Sequence, residues 1–263
     1  MGDLHGDGRL FDYRVSMIDN PSKDDYIICA GDVGIEYGGR TYGNIKKAMK
    51  RFPGKVIVMR GNHDDRYIEN HTNEVGLPLN NSWDFFIKED DCVLSDKYGN
   101  NYFFHQKKFP NIWYTSDSGG IYNIGGYNIL FIPGAYSVDK YYRLQHGYPY
   151  NPTEQLSKEE QKCLTDIIHN WCSIGFDIDF VISHTAPYKL QPYFKDLFLD
   201  FLDQSTVDNS MEIWLDSIAD YCENIPSFKH WFFGHFHDDR VIQNKYTMLY
   251  HDIVELADYE KEN

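Results

Sequence analysis

Five short polar clusters stand where extended runs end or where the chain begins, and together they hold an unusual share of its histidines and aspartates. They are Gly2-Asp3-Leu4-His5-Gly6, Gly31-Asp32, Gly61-Asn62-His63-Asp64, Ser183-His184 and Gly234-His235-Phe236-His237. Glycine precedes the ligand-type residue in four of the five. A glycine there permits a sharp turn and a close approach of backbone to a bound ion, while the neighbouring carboxylate, amide and imidazole groups supply donors. Open α/β sheets place ligands at the carboxyl ends of their strands, so clusters far apart in sequence can converge on one point.

The runs themselves support such a fold. Apolar, β-branched and aromatic stretches at Tyr26 to Ala30, Val56 to Met59, Asn101 to Phe104, Ile112 to Thr115, Asn128 to Ile132, Asp179 to Ile182, His230 to Phe233 and Thr247 to Tyr250 read as strands. Helical spacing separates several of them. From Ser157 to Cys172, Leu164, Ile167, Ile168 and Trp171 fall at i, i+3, i+4 and i+7, and Ser157 with Glu160 has capping-box spacing. From about Asp208 to Cys222, Met211, Trp214, Leu215, Ile218 and Tyr221 share a face, with Asp216, Asp220 and Glu223 turned to water. A shorter basic helix is expected around Asn44 to Arg51. The alternation predicts a layered α/β domain with helices on the sheet faces and antiparallel additions in the strand-rich middle. Without a Pro/Ser/Gly-rich linker, residues 1–263 are read as one domain.

Charge narrows the function. Lys and Arg total 25 against 40 Asp and Glu, a formal charge of -15, which disfavours a broad grip on nucleic acid. The five cysteines, Cys29, Cys92, Cys163, Cys172 and Cys222, are scattered without a CxxC pair, so neither a thiolate zinc site nor a disulfide framework is indicated. A reducing compartment fits that usage. No apolar run has the length of a membrane span, and the opening residues form neither a basic n-region nor an apolar h-region. The expectation is a cytoplasmic protein.

Asp3, His5, Asp32, Asn62, His184, His235 and His237 make a mixed oxygen and nitrogen set without a thiolate. Seven such donors exceed what one ion needs and suit two divalent first-row metals sharing a carboxylate. Manganese is the expected occupant, with iron, zinc, nickel and cobalt admissible on donor type.

In order along the chain, DxH, GD, GNH followed by Asp, a lone His and GHxH resemble the calcineurin-like metallophosphoesterase superfamily. The five blocks run from residue 3 to residue 237, nearly the whole chain. The resemblance implies two packed mixed β-sheets flanked by helices, a four-layer αββα sandwich. It implies that Asp3, His5 and His237 hold one metal, that Asn62, His184 and His235 hold the other, and that Asp32 bridges them. It also places His63 beside the metals without ligating them. Two such ions about 3.5–4 Å apart lower the pKa of a shared water and clamp the oxygens of an in-line displacement, so hydroxide is the expected nucleophile. His63, with an ordinary pKa of about 6.5, is the side chain best matched to protonate the leaving alkoxide. Asp64 would orient that ring, and Arg60 would support the site from behind or bind a phosphate oxygen.

In Pro133 to Arg143, the aromatic and charged residues Tyr136, Lys140 and Arg143 are candidates for a substrate-facing loop; the alternative is a turn leading into a helix. His71, His105, His146, His169, His230 and His251 lack such context and are read as surface or core. One departure from the superfamily pattern stands out: only Met1 and Gly2 precede Asp3, where a central strand normally leads into DxH. The first strand is therefore expected to be truncated, the segment from Met1 to Gly6 mobile, and its metal weakly held. The expected activity is hydrolysis of a phosphomonoester or phosphodiester, with a small-molecule substrate and no membrane or nucleic-acid partner. Two other readings stand beside it, a non-catalytic scaffold of the same fold that binds a protein and a nuclease of the same superfamily; oligomeric state is open.

Overall fold

Val56, Ile57, Val58 and Met59 form an unbroken apolar run, and each is fully buried. Such a strand requires cover on both faces, which a parallel sheet clad by other layers provides. The computed structural model, which describes residues 1–69, 83–86, 103–198 and 206–260, shows that arrangement. The chain forms helix α1 (Gly8–Val15), strand β1 (Tyr26–Ala30), a hairpin of β2 (Glu36–Tyr37) and β3 (Arg40–Thr41), helix α2 (Gly43–Met49) and strand β4 (Lys55–Met59). Strands β5 (Trp83–Phe86), β6 (Phe103–Gln106), β7 (Ile112–Tyr114), β8 (Gly120–Ile124) and β9 (Tyr127–Ile132) follow. Then come helices α3 (Lys140–His146) and α4 (Lys158–Ser173), strand β10 (Phe180–Ser183), helix α5 (Ser210–Cys222) and strands β11 (His230–Phe233), β12 (Arg240–Ile242) and β13 (Tyr246–Met248). His71, Cys92, residues 101–102 of one expected strand and residues 261–263 of the acidic tail lie outside the described residues.

One sheet has the order β1-β4-β7-β6-β5 and the other β12-β13-β11-β10-β9-β8. In the first, β1, β4 and β7 are parallel, while β6 pairs antiparallel with both β7 and β5. In the second, β9, β10, β11 and β13 are parallel, with β8 and β12 as antiparallel edges. The two-residue period of each strand sorts its side chains between layers. Ile57 and Met59 of β4 meet Phe131, Phe180 and Phe232 between the sheets. Val56 and Val58 face the other way, against Phe11 of α1 and Ile45 and Met49 of α2. On the far side, Val181, Trp231 and Phe233 pack on Leu164, Ile168 and Trp171 of α4 and Leu215 and Ile218 of α5. The layers are therefore helix, sheet, sheet, helix, as expected. Among the described residues no helix is long and apolar enough to cross a membrane, and Cys29, Cys163, Cys172 and Cys222 are free thiols.

The capping box at α4 forms as read: Ser157 Oγ accepts from Glu160 N at 3.2 Å and Glu160 Oε2 accepts from Ser157 N at 2.7 Å. On α5, Asp216, Asp220 and Glu223 do lie outside the core, but they hold Lys189 rather than water alone. The same helix buries Glu212. Its Oε1 accepts from Thr185 Oγ1 at 3.1 Å, its Oε2 has no partner, and burial pushes its carboxyl from 4.5 up to about 7. A carboxyl whose pKa is higher folded than unfolded weakens the fold as pH rises: the penalty is absent below the unfolded value and complete above the folded one. Glu212→Gln is thus expected to raise stability by about 1–3 kcal/mol near pH 8 and to leave it nearly unchanged near pH 4. Thermal melts at both pH values check this, and an equal gain at both would contradict it.

The expected gap before Asp3 is partly filled. Met1 to Asp3 run parallel to β1, with the Met1 amino group donating to Ile28 O at 3.1 Å, Ala30 N to Met1 O at 2.8 Å and Asp3 N to Gly31 O at 3.2 Å. Met1, Asp3 and Leu4 are buried, and Gly2 closes against the Leu249 carbonyl, where a Cβ would collide. These bonds give partners to Ile28 O, Ala30 N and Gly31 O on the side of β1 away from β4.

Candidate metal centre

Register brings the clusters to one level. Ala30 is opposite Met59 in one sheet, and Ser183 is opposite both Ile132 and Phe233 in the other. Gly31-Asp32, Gly61-Asn62-His63, His184 and Gly234-His235 leave those ends together, and Asp3 to Gly6 continue beside Gly31 to Val33. Asp32 is central. Its Oδ1 lies 3.3 Å from His184 Nε2, and its Oδ2 lies 3.4 Å from His63 Nδ1 and 3.9 Å from His5 Nδ1. Asn62 Oδ1 is 2.8 Å from His184 Nε2. On the other side, His5 Nε2 is 3.1 Å from His237 Nε2, and His237 Nε2 is 3.5 Å from Asp3 Oδ1. The His235 ring centroid is 5.1 Å from that of His184, and its backbone N donates to the Asp3 carboxylate at 3.0 Å. All seven donors read from the sequence are thereby brought together.

The backbone is bent to do so. Among the described residues, eight non-glycine residues have positive φ, and five of them are Asp3, His5, Asp32, His235 and His237. Each such residue costs of order 1–3 kcal/mol, which persists where the surrounding structure over-determines it and clusters at functional sites. The glycines supply clearance: a Cβ at Gly61 would strike Asp32 Oδ1, and one at Gly31 would strike the His184 ring.

The electrostatics fit a cation. Burial opposes the charge on Asp32, yet His184, His63 and His5 hold its carboxyl well below the usual range. Burial also favours a neutral His184, but Asp32 overrides it and pushes that ring up to about 9. Since His184 Nδ1 donates to the Ala30 carbonyl at 2.8 Å, its Nε2 must carry a second proton to satisfy Asn62 Oδ1 and Asp32 Oδ1. A positive charge is needed at that point, and a divalent ion would take the proton's place. Burial, with His184 nearby, drives His235 far below its ordinary value, so its ring is a neutral lone-pair donor. The hydrogen bond to Asp3 raises His237. Asp3, His5 and His237 form one possible ligand group and Asp3, Asp32 and His184 another.

His63 stands beside this set with Nε2 buried and unpartnered. Burial lowers its pKa despite the nearby Asp32. One expected role needs correction, and Arg60 takes the supporting one of its two alternatives. Asp64 does not orient the His63 ring: its carboxylate accepts from Val33 N, Gly34 N, Gly61 N and Tyr67 Oη, at 2.7–3.1 Å, tying two of the clusters together. Burial and Asp32 push it up to about 6. Arg60 faces away from the donors, giving its N–H groups to the carbonyls of Glu154, Asp117 and Gly61. It is a buried brace rather than a phosphate ligand. Of the substrate-loop residues, Tyr136 is only 5% exposed and carries Lys140 Nζ 5.6 Å over its ring, leaving little face for stacking. Arg143, held by Asp139 at 2.7 Å, lies 5.8 Å over Tyr37, whose ring is 5.4 Å from His63. Tyr37, Ser137 and Glu154 were not anticipated: a hairpin tyrosine and two loop residues carry no motif, although the run Pro133 to Arg143 contains Ser137.

Two mixed sheets with histidines and carboxylates gathered at aligned strand ends define an αββα sandwich with a candidate cation site at those ends. The family model described as calcineurin-like phosphoesterase matches residues 1–239, and the chain belongs to that family of metal-dependent phosphoesterases. A search of curated proteins finds no match.

Proposed function

We propose that the chain hydrolyses a small phosphomonoester or phosphodiester using two divalent ions, manganese foremost, with His63 as the proton donor to the leaving group. The observation that carries this reading is the placement of Asp32, whose two carboxylate oxygens face different imidazoles, His184 on one and His63 and His5 on the other. Asp3, His5 and His237 would hold one ion and Asn62, His184 and His235 the other, with Asp32 between. Bound there, the ions would supply Lewis acidity toward phosphoryl oxygens and bring water toward ionisation near neutral pH. The protein's own groups do the rest. Asp32 Oδ1 accepts from His63 N at 2.7 Å, which ties His63 to the carboxylate that would serve both ions. Tyr37 packs against the His63 ring, and Arg143 above it offers positive charge to a substrate phosphate. A panel including p-nitrophenyl phosphate and bis-p-nitrophenyl phosphate, run on manganese-reconstituted protein, tests the activity. If both esters stay untouched, the scaffold reading replaces it.

The two ion sites differ in exposure. The side chains of His5 and His237 are 36% and 49% exposed, whereas that of His184 is fully buried. Solvent competes better for the first ion, so calorimetric titration with Mn²⁺ is expected to resolve two steps, with the tighter lost in His184→Ala. Two equal steps would contradict the assignment.

A further inference from the structure

An amide side chain offers a cation only its oxygen; turned over, it presents N–H groups that repel one. Asn62 therefore serves the centre only if something holds its two ends apart. Its Nδ2 donates to Ser137 Oγ at 2.9 Å, which leaves Oδ1 facing His184. Ser137 Oγ can accept from Asn62 because its single hydrogen goes elsewhere, to Glu154 Oε2 at 2.5 Å. The second oxygen, Glu154 Oε1, accepts from Ser137 N at 2.8 Å, an arrangement that suits an ionised carboxylate. Asn62, Ser137 and Glu154 are each no more than 2% exposed, so water does not compete for these bonds. The Glu154 carbonyl also accepts from Arg60 Nη1 at 2.6 Å, two residues before Asn62. The geometry points to Glu154, acting through Ser137, as the positioning residue that turns the Asn62 carbonyl oxygen toward the metal centre. With Glu154 removed, the Ser137 hydrogen is free to point at Asn62, and the amide can flip to meet it. The inference rests on the reading of this site as a metal centre.

A double-mutant cycle on metal binding tests it without recourse to turnover. The metal-free full chain is titrated with Mn²⁺ by calorimetry near pH 8, above the value of about 7 to which burial pushes the Glu154 carboxyl. Ser137→Ala is expected to weaken one binding step by about 10–100-fold, the usual scale for losing a group that orients a ligand. In an Asn62→Asp background the carboxylate has two equivalent oxygens and no amide to turn over, so Ser137→Ala should there have less than about a twofold effect. Glu154→Gln, which cannot accept at both atoms, should weaken binding in the same background-dependent way, and it serves if Ser137→Ala does not fold. Equal losses in both backgrounds, or no loss with Asn62 present, would overturn the proposal. A wild-type chain that binds no Mn²⁺ would overturn the metal-centre reading itself, and this inference with it.

Discussion

Asp32→Ala is expected to strip both ions and abolish turnover. Among the described residues Asp32 alone lies within 4 Å both of His184 and of His5 and His63, so on the proposed assignment its loss would remove a ligand from each ion at once. It also removes the acceptor for His63 N and leaves His184, now without its carboxylate, buried next to His235. Two imidazoles in one apolar setting resist a cation much more strongly than they do with a carboxylate between them. Elemental analysis of the dialysed variant, beside phosphate-ester turnover of the same preparation, gives the check. Retention of a full ion by the variant would show that Asp32 does not bridge.

His63→Ala should behave differently, keeping its metals while losing about 10²–10⁴ in rate, the scale of general acid help. The loss should depend on the leaving group. An alkyl alkoxide needs a proton as the bond breaks, whereas p-nitrophenolate leaves nearly unaided, so the defect should be large for alkyl phosphates and small for p-nitrophenyl phosphate. Nδ1 faces Asp32 while Nε2 is buried without a partner, so the role requires Nε2 to carry a proton against the burial that lowers the pKa of the ring. A uniform loss across leaving groups would mean that His63 serves the site structurally instead.

These contrasts reflect how differently the parts of the site were written into the chain. That the seven residues would meet was legible because turn glycines and metal-ligand residue types coincide at strand ends, and parallel register then carries those ends to one level. Roles that depend on side-chain direction were not. Asp64 follows His63 in sequence yet turns to backbone N–H groups of another loop, and Arg60 points to carbonyls from distant segments. Adjacency in sequence says nothing about which way a turn aims its side chains. The strands at Tyr26–Ala30 and His230–Phe233 matched to the residue, because apolar runs bounded by polar turns leave little freedom. Strand β8, with glycine and asparagine among its apolar residues, and helix α1 were missed. For α1 a signal existed: Asp7 caps it, its carboxylate accepting from Arg9 N and Leu10 N, but the residue directly follows a ligand cluster that drew a functional reading first. Glu154 and Ser137 could be found only in three dimensions, since what matters is a chain of hydrogen bonds across 75 residues of sequence between Asn62 and Ser137.

The central claim is that distant donors gather so that Asp32 joins two cations. Anomalous diffraction from crystals grown with Mn²⁺, collected at the manganese edge, tests it most directly. The account predicts two anomalous peaks, one among Asp3, His5 and His237 and one among Asn62, His184 and His235, with a carboxylate oxygen of Asp32 toward each. A single peak, or none at these residues while Mn²⁺ is bound elsewhere on the chain, would contradict it.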